Sequence, residues 1–362
     1  MRAPDFSQWL NLEPYGMEAS KKSALLTGAL RELTRWHAAQ CQAYQRILAL
    51  QGADSEAMTT LEQVPYLPAR LFKEFDLLSI DRSEVFKTMT SSGTTEGQVS
   101  KIYLDRATAS LQTKVLSRLM SRLLGKQRLP MLVVDSPGTV KERWAFSARG
   151  AAILGFSLYG QDVTYALSTS MKLDVPAVEA FLDRHRDTPI FIFGFTFMLW
   201  LHWALPLQQL GKVLPIHSGI ILHGGGWKKL EDQGVDNETF RVALQSCVGG
   251  MKVVNYYGMV EQTGALFMEC EEGWLHAPVY ADVIIRDPYT FGVAGIGQEG
   301  IIEVLSVVPL SYPGHALLTE DVGVLLGEDD CACGRLGKYF RVIGRVPKAE
   351  VRGCSDTYEA RT

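Results

Sequence analysis

Between Glu18 and Leu50 the residues Leu26, Leu30, Leu33, Trp36, His37, Cys41, Tyr44, Ile47 and Leu48 recur at three- and four-residue intervals. That spacing predicts one long amphipathic helix, or two in succession, packed on the main core. His37 and Cys41 on this stripe read as satisfied core residues rather than ligands. After Pro65-Tyr-Leu-Pro68 the pattern changes. Short apolar runs at Met131–Val134, Ile190–Phe193, Gly219–Leu222 and Lys252–Asn255 alternate with helical stretches such as Ala107–Leu124 and Val175–His185. This alternation predicts a sheet covered by helices. Beyond about Gly273 the chain turns to short strand patterns separated by Gly, Pro and Asp, at Asp282–Ile285, Gly300–Leu305 and Val322–Leu326. The expectation is an α/β protein with a smaller β-rich subdomain. Its regions would be a helical N-terminal part (1–80), an α/β core (81–272), a β-rich part (273–345) and a mobile tail (346–362).

Pro189–Leu205 carries no formal charge and is almost long enough to span a bilayer. Gly194 divides it and His202 sits inside it, so a buried strand leading into a helix from Thr196 is the better reading. Across all 362 residues, 47% are hydrophobic and 21% charged, with a net charge of -4. No basic patch asks for a nucleic acid, and a soluble globular protein is expected. The opening Met1-Arg-Ala-Pro-Asp-Phe has no cationic segment before an apolar run, so a cytoplasmic location is expected. Six cysteines in a large cytoplasmic chain then raise the question of a metal or a reactive thiol rather than disulfides.

Thr90-Ser91-Ser92-Gly93-Thr94-Thr95-Glu96-Gly97 lies between the apolar pair Val85-Phe86 and Lys101–Leu104, hence between two predicted strands. Glycines let backbone amides approach a ligand, and the hydroxyls can donate to phosphate oxygens. No Lys-Ser/Thr pair follows, so this is not a Walker loop, and a polar hairpin turn is the plain alternative. Asn255-Tyr-Tyr257-Gly258-Met-Val-Glu261 follows a predicted strand. There a carboxylate could hold magnesium and an aromatic ring could stack on a purine. In Leu318-Thr-Glu-Asp321, Asp321 could accept ribose hydroxyls, and in Gly344-Arg345 a permanently charged donor suits phosphate or ribose.

Taken in order from residue 88 to 353, these motifs resemble the adenylate-forming superfamily of acyl-CoA synthetases and related ligases. Within it the chain looks most like the fatty acyl-protein synthetases of bacterial bioluminescence operons, with phenylacetate-CoA ligases more distant. The resemblance implies that ATP and magnesium are used to activate a carboxylic acid, with carboxylate attack on the α-phosphate and release of pyrophosphate. It implies Thr90–Gly97 for the ATP phosphates, His223-Gly224-Gly225-Gly226 for the adenine and acyl pocket, and Tyr257 and Glu261 for adenine and magnesium. Asp321 would hold ribose, and Arg345 would stand at a hinge. Members that make acyl-CoA usually carry a further domain after the hinge, with a lysine that contacts the substrate carboxylate and AMP, whereas 17 residues follow Arg345 here. Lys338 and Lys348 lie near that hinge without a motif match. Arg352-Gly-Cys354-Ser resembles the C-terminal cysteine that takes the acyl group as a thioester, and Arg352 would favour its thiolate. The partners implied are a fatty acid, an acyl-accepting reductase and an acyl donor protein.

Cys270, His276, Cys331 and Cys333 supply four ligands of the kind tetrahedral zinc takes. The pattern also resembles a zinc site in some adenylating proteins of the phenylacetate-CoA ligase type. Unrelated reduced side chains on loops are the alternative. Phe191, Phe193, Phe195, Phe197, Met198 and Trp200 read mostly as core, with one or two left to line an acyl pocket. Two other functions stay open: a ligase passing an aromatic or other acid to CoA or a carrier, and a non-catalytic nucleotide- or acyl-binding subunit.

Overall fold

A computed structural model of the chain describes residues 3–91, 99–140, 148–227 and 234–346. These fall into two compact units, one of residues 120–256 and one of residues 3–91, 99–119 and 257–346.

In the 120–256 unit five strands run parallel. Their order is Gly160–Tyr165, Leu129–Val133, Ile190–Phe195, Gly219–Gly224 and Lys252–Tyr257. Parallel strands need crossover helices on both faces, so the inner strands bury both faces and read as continuous apolar runs. Ile190–Phe195 is buried at all six positions. Its helix starts at Thr196, as the spacing predicts, and runs to Gln209 with one π-turn at Trp200–Ala204. Gly194 does not break the strand but continues it. A Cβ there would come within 2.9 Å of the Leu199 side chain and 3.1 Å of Val134. Trp203, Phe181, Phe240, Leu207 and Leu244 close the core on this face, each burial stabilising by about 1.5–3 kcal/mol. Helix Val175–Arg184 begins where Asp174 accepts from the Ala177 amide at 3.1 Å and Pro176 occupies the first turn.

The other unit is built on an antiparallel ladder. Its order is Ala281–Arg286, Glu299–Ser306, Ala316–Glu328, Lys338–Arg345, Leu275–His276 and Phe267–Glu269. Leu67–Pro68 adds a parallel pairing to Ala316–Glu328, and Lys87–Thr90 pairs separately with Lys101–Leu104. The N-terminal stripe forms two helices, Ala19–Gln40 and Gln42–Gln51, which part at Cys41 in an extended conformation. His37 and Cys41 are buried, as expected of core residues. The first helix is tied down by Lys22, whose ammonium donates to the Ala277 carbonyl at 3.0 Å and lies 3.5 Å from the buried Asp282 carboxylate. Lys338 joins the same cluster, 3.7 Å from Asp282 and donating to the Val283 carbonyl. The Lys338 ammonium is thus held within a buried ion cluster. Among the described residues no helix is long and apolar enough to cross a membrane.

Candidate functional site: a nucleotide-type cluster and a Cys/His cluster

The final hairpin, Ala316–Glu328 with Lys338–Arg345, sets Asp321 directly across from Arg345. The Arg345 guanidinium lies 2.8 Å from Glu320 through Nη2 and 3.5 Å from Asp321 Oδ1 through Nε. Asp321 Oδ2 accepts from the Tyr257 hydroxyl at 2.7 Å. Burial, with Asp321 beside it, pushes the Tyr257 phenol well above its ordinary range, so it stays a donor. Thr319 fixes the turn of the strand, donating to the Ile302 carbonyl at 2.7 Å and accepting from the Asp321 amide at 3.1 Å. Three of the residues singled out from sequence, Tyr257, Asp321 and Arg345, thus form one contact network.

Glu261 sits nearby in sequence on a single 3-10 turn, Val260–Gln262, and is buried. The neighbouring Gln262 donates to the Val304 and Gly314 carbonyls at 3.2 and 2.9 Å, which pins that turn to the ladder. Gly314 packs so closely that a Cβ would meet the Glu261 carbonyl at 2.8 Å and the Tyr312 ring at 2.2 Å. Burial and the Glu261 carboxylate together raise the Tyr312 phenol. Gly258, between Tyr257 and Glu261, faces the Leu266 side chain at 2.5 Å from where a Cβ would stand.

In the parallel unit His223 and Gly224 end the strand Gly219–Gly224. Ligands of open parallel sheets gather at such carboxyl ends. The Thr196 hydroxyl donates to the Gly224 carbonyl at 3.1 Å, so it accepts from His223 Nδ1 at 3.0 Å, which fixes the imidazole tautomer. Burial, with Arg241 nearby, holds the imidazole pKa down to about 3. It therefore acts as a neutral group. Gly224 is required because a Cβ would lie 2.8 Å from the Tyr256 carbonyl, and Gly225 turns the chain with φ +87°.

Thr90 ends the pairing of Lys87–Thr90 with Lys101–Leu104, and Ser91 and Ser100 beside it exchange hydrogen bonds at 3.1 and 2.9 Å. The predicted strand on the N-terminal side falls two residues later than Val85-Phe86. Ser92, Gly93, Thr94, Thr95 and Gly97 of the loop, and Cys354 of the tail, lie outside the described residues.

One buried polar cluster in the parallel unit carries no motif in the sequence. Asp135, 1% exposed, meets Arg149, 3% exposed, at 2.9 and 3.1 Å, and Thr139 bridges both. Asp135 stands just past the carboxyl end of Leu129–Val133, so a carboxylate followed by Ser-Pro at a strand end was the available signal.

Cys270, His276, Cys331 and Cys333 converge, with their ligand atoms all within 4.8 Å of one another. Cys270 Sγ and Cys331 Sγ are 3.9 Å apart, and Cys333 Sγ is 3.4 Å from His276 Nε2. Burial pushes the Cys331 thiol up to about 12 and the His276 imidazole down to about 4. The Arg335 amide donates to Cys333 Sγ at 3.4 Å. The donor set, three thiols and an imidazole within one coordination sphere, fits a tetrahedral metal.

Comparison with known proteins agrees with this architecture. "Long-chain-fatty-acid--luciferin-component ligase" of Vibrio harveyi is 24% identical over 319 residues, covering 83% of this chain and 78% of that protein. The protein of the same description from Aliivibrio fischeri is 21% identical over 322 residues, covering 83% and 79%. Among solved structures, 2-hydroxyisobutyryl-CoA ligase in the postadenylation state with 2-HIB-AMP superimposes with TM-score 0.69 at 16% identity, covering 95% of this chain and 72% of that one. The same ligase in the thioesterification state, with CoA as well, gives 0.68 at 17% identity, covering 93% and 70%. The fold is therefore that of the adenylate-forming ligases. The family model described as "Acyl-protein synthetase, LuxE" matches residues 7–361, and the chain belongs to that family.

Proposed function

We propose that the protein activates a fatty acid with ATP and magnesium and then carries the acyl group on Cys354 for delivery to an acyl-accepting reductase. The carboxylate attacks the α-phosphorus and the bond to pyrophosphate breaks, giving an acyl-adenylate. The Cys354 thiolate then attacks the acyl carbonyl and AMP leaves. Asp321 and Tyr257 would take the ribose and adenine, Arg345 would stand at the phosphate side, and the loop from Thr90 to Gly97 would cradle phosphates. Glu261 would hold magnesium, which neutralises charge developing on the phosphates. The observation that carries the reading is the Tyr257–Asp321–Arg345 network. It gathers three separately placed motifs on one unit, with a Tyr hydroxyl, a carboxylate and a guanidinium in contact. The Cys/His cluster would hold a structural zinc, since protein atoms fill all four positions. A cytoplasmic site of action suits a consumer of ATP whose five described cysteines are unpaired.

Incubation with ATP, magnesium and a labelled fatty acid tests this. The protein should take up label in a hydroxylamine-sensitive bond, and Cys354→Ser should abolish the label while acid-dependent pyrophosphate release continues. A serine variant that still labels overturns the acceptor role. Pyrophosphate release that depends on added CoA would point instead to a CoA ligase, and no acid-dependent release at all would point to a binding subunit.

A further inference from the structure

The Cys/His cluster and the nucleotide-type cluster occupy opposite ends of one hairpin. Its ladder begins at Asp321↔Arg345 and runs to Glu328↔Lys338, a span of about 23 Å at about 3.3 Å per residue. Cys331 and Cys333 lie in the turn that closes the hairpin, while Cys270 and His276 come from the adjoining segment. His276 is paired in register with Tyr339, and the two rings stack at 5.5 Å and 20°. Tyr339 in turn pairs with Gly327 at one of two places where the hairpin register shifts, Leu325/Gly327; the other is Val322/Gly323. A Cβ at Gly327 would lie 2.6 Å from the Tyr339 hydroxyl and 2.8 Å from its ring, so the ring lies against that register shift. A hairpin with two bulges has competing alignments, and a one-residue slip turns side chains to the opposite face.

We infer that a metal held by Cys270, His276, Cys331 and Cys333 clamps the register of this hairpin and so positions Arg345 opposite Asp321. The inference rests on the zinc and adenylation readings above. The distances suit a metal. Bonds of about 2.3 Å to sulfur and about 2.0–2.1 Å to nitrogen at tetrahedral angles place sulfurs about 3.8 Å apart and sulfur about 3.5 Å from nitrogen. Cys270 Sγ and Cys331 Sγ are 3.9 Å apart and Cys333 Sγ is 3.4 Å from His276 Nε2, and all four ligand atoms lie within 4.8 Å of one another. His276 Nε2 faces the sulfurs, and its Nδ1 keeps the proton, with no hydrogen-bond partner among the described residues. The stack on Tyr339 therefore orients the imidazole, and the ligand and the bulge hold each other. Binding releases the thiol protons, so loading strengthens as pH rises. The four ligands are the metal's own coordination sphere. Their influence on Arg345 is one of positioning through the ladder.

Metal analysis of the full chain should find about one zinc per molecule, and cobalt exchanged into the site should give the visible absorption of a tetrahedral thiolate complex. Hydrogen exchange is then compared before and after chelation. Stripping the metal should speed exchange in Lys338–Arg345 by about tenfold or more while leaving Ile190–Phe195 unchanged, and zinc should restore it. The ATP dissociation constant should weaken by about tenfold in the stripped protein. Cys333→Ser should behave like the stripped protein, and the chelation arm stands by itself if that variant does not fold. Absence of zinc together with absence of the cobalt spectrum overturns the site. Unchanged exchange in Lys338–Arg345 on metal removal overturns the clamp. If the metal-loaded protein binds no ATP, the adenylation reading falls, and the exchange comparison still decides the clamp.

Discussion

The two units solve the problem of buried polarity differently. In the parallel unit the inner strands are mainly apolar, and polar groups gather at or just beyond the carboxyl ends: Asp135 with Arg149, Thr196 with His223, and the turn at Gly225. In the antiparallel unit charge is buried on the ladder's own strands, with Asp282 and Lys338 meeting Lys22 of the first helix in one cluster and Arg286 against Glu303 at 2.6 Å in another. A parallel sheet has both faces covered by helices and leaves its strand ends for chemistry. An antiparallel ladder can bring chemistry together across strands, as Asp321 and Arg345 show. One unit offers a rim, and the other offers a register.

The largest effect should come from the register side. Glu261→Ala is expected to lower acid-dependent pyrophosphate release by about a thousandfold, which corresponds to about 4 kcal/mol of barrier. Unchanged turnover would remove Glu261 from the magnesium site. On the rim side, Arg149→Met should destabilise the protein by about 3 kcal/mol in urea unfolding, because Asp135 is left charged and buried without its partner. The double variant Asp135→Leu/Arg149→Met should recover much of that loss, and failure to do so would mean that the pair is more than a compensated burial.

The next effect is a pH dependence of the antiparallel unit. His37 and His315 stack at 5.0 Å, both buried. Burial, with His315 next to it, holds His37 well below its usual value, and burial brings His315 to about 3. Both imidazoles are neutral in the folded state, whereas in the unfolded chain they take up protons below about pH 6.5. Their contribution is therefore intact above pH 6.5 and is lost as pH falls, at up to about 1.4 kcal/mol per pH unit for each histidine. Urea midpoints measured from pH 7 to pH 5 should decline, and His37→Asn/His315→Asn should flatten the profile. A profile of equal slope in that variant would place the acid sensitivity elsewhere. The smallest effect belongs to Tyr257→Phe, which removes one hydrogen bond to a charged acceptor. It should weaken ATP binding by about tenfold with little change in stability.

Much of the fold was legible because inner parallel strands are continuously apolar and the helices between them keep their own apolar spacing. Ile190, Gly219 and Lys252 each begin a strand where the apolar runs begin, and Thr196 and Val175 begin helices as the pattern indicates. The edge strand Gly160–Tyr165 was not legible, since its sequence Gly-Gln-Asp-Val-Thr-Tyr is largely exposed and carries no run of apolar residues. Leu275–His276 is too short to show a period. At the site, Asp321, Tyr257 and Arg345 were readable as motif residues, but their mutual contacts depend on pairings that local spacing does not encode. The Cys-x-Cys turn was legible as a candidate ligand pair, while its place at the far end of the hairpin from Asp321 needed the strand register. Asp135 and Arg149 escaped because a salt bridge across 14 residues leaves no periodic trace.

Because Asp321 and Arg345 meet through a counted ladder with two shifts already in it, this part of the molecule is tolerant of substitution and intolerant of changes in length. Exchanging one branched apolar residue for another, as in Val324→Ile, keeps every pairing. One extra residue between Asp321 and Glu328 must either form a third bulge or turn Asp321 away from Arg345. For anyone grafting or recombining this protein with relatives, the safe junctions lie outside Ala316–Arg345, and the hairpin is best moved whole.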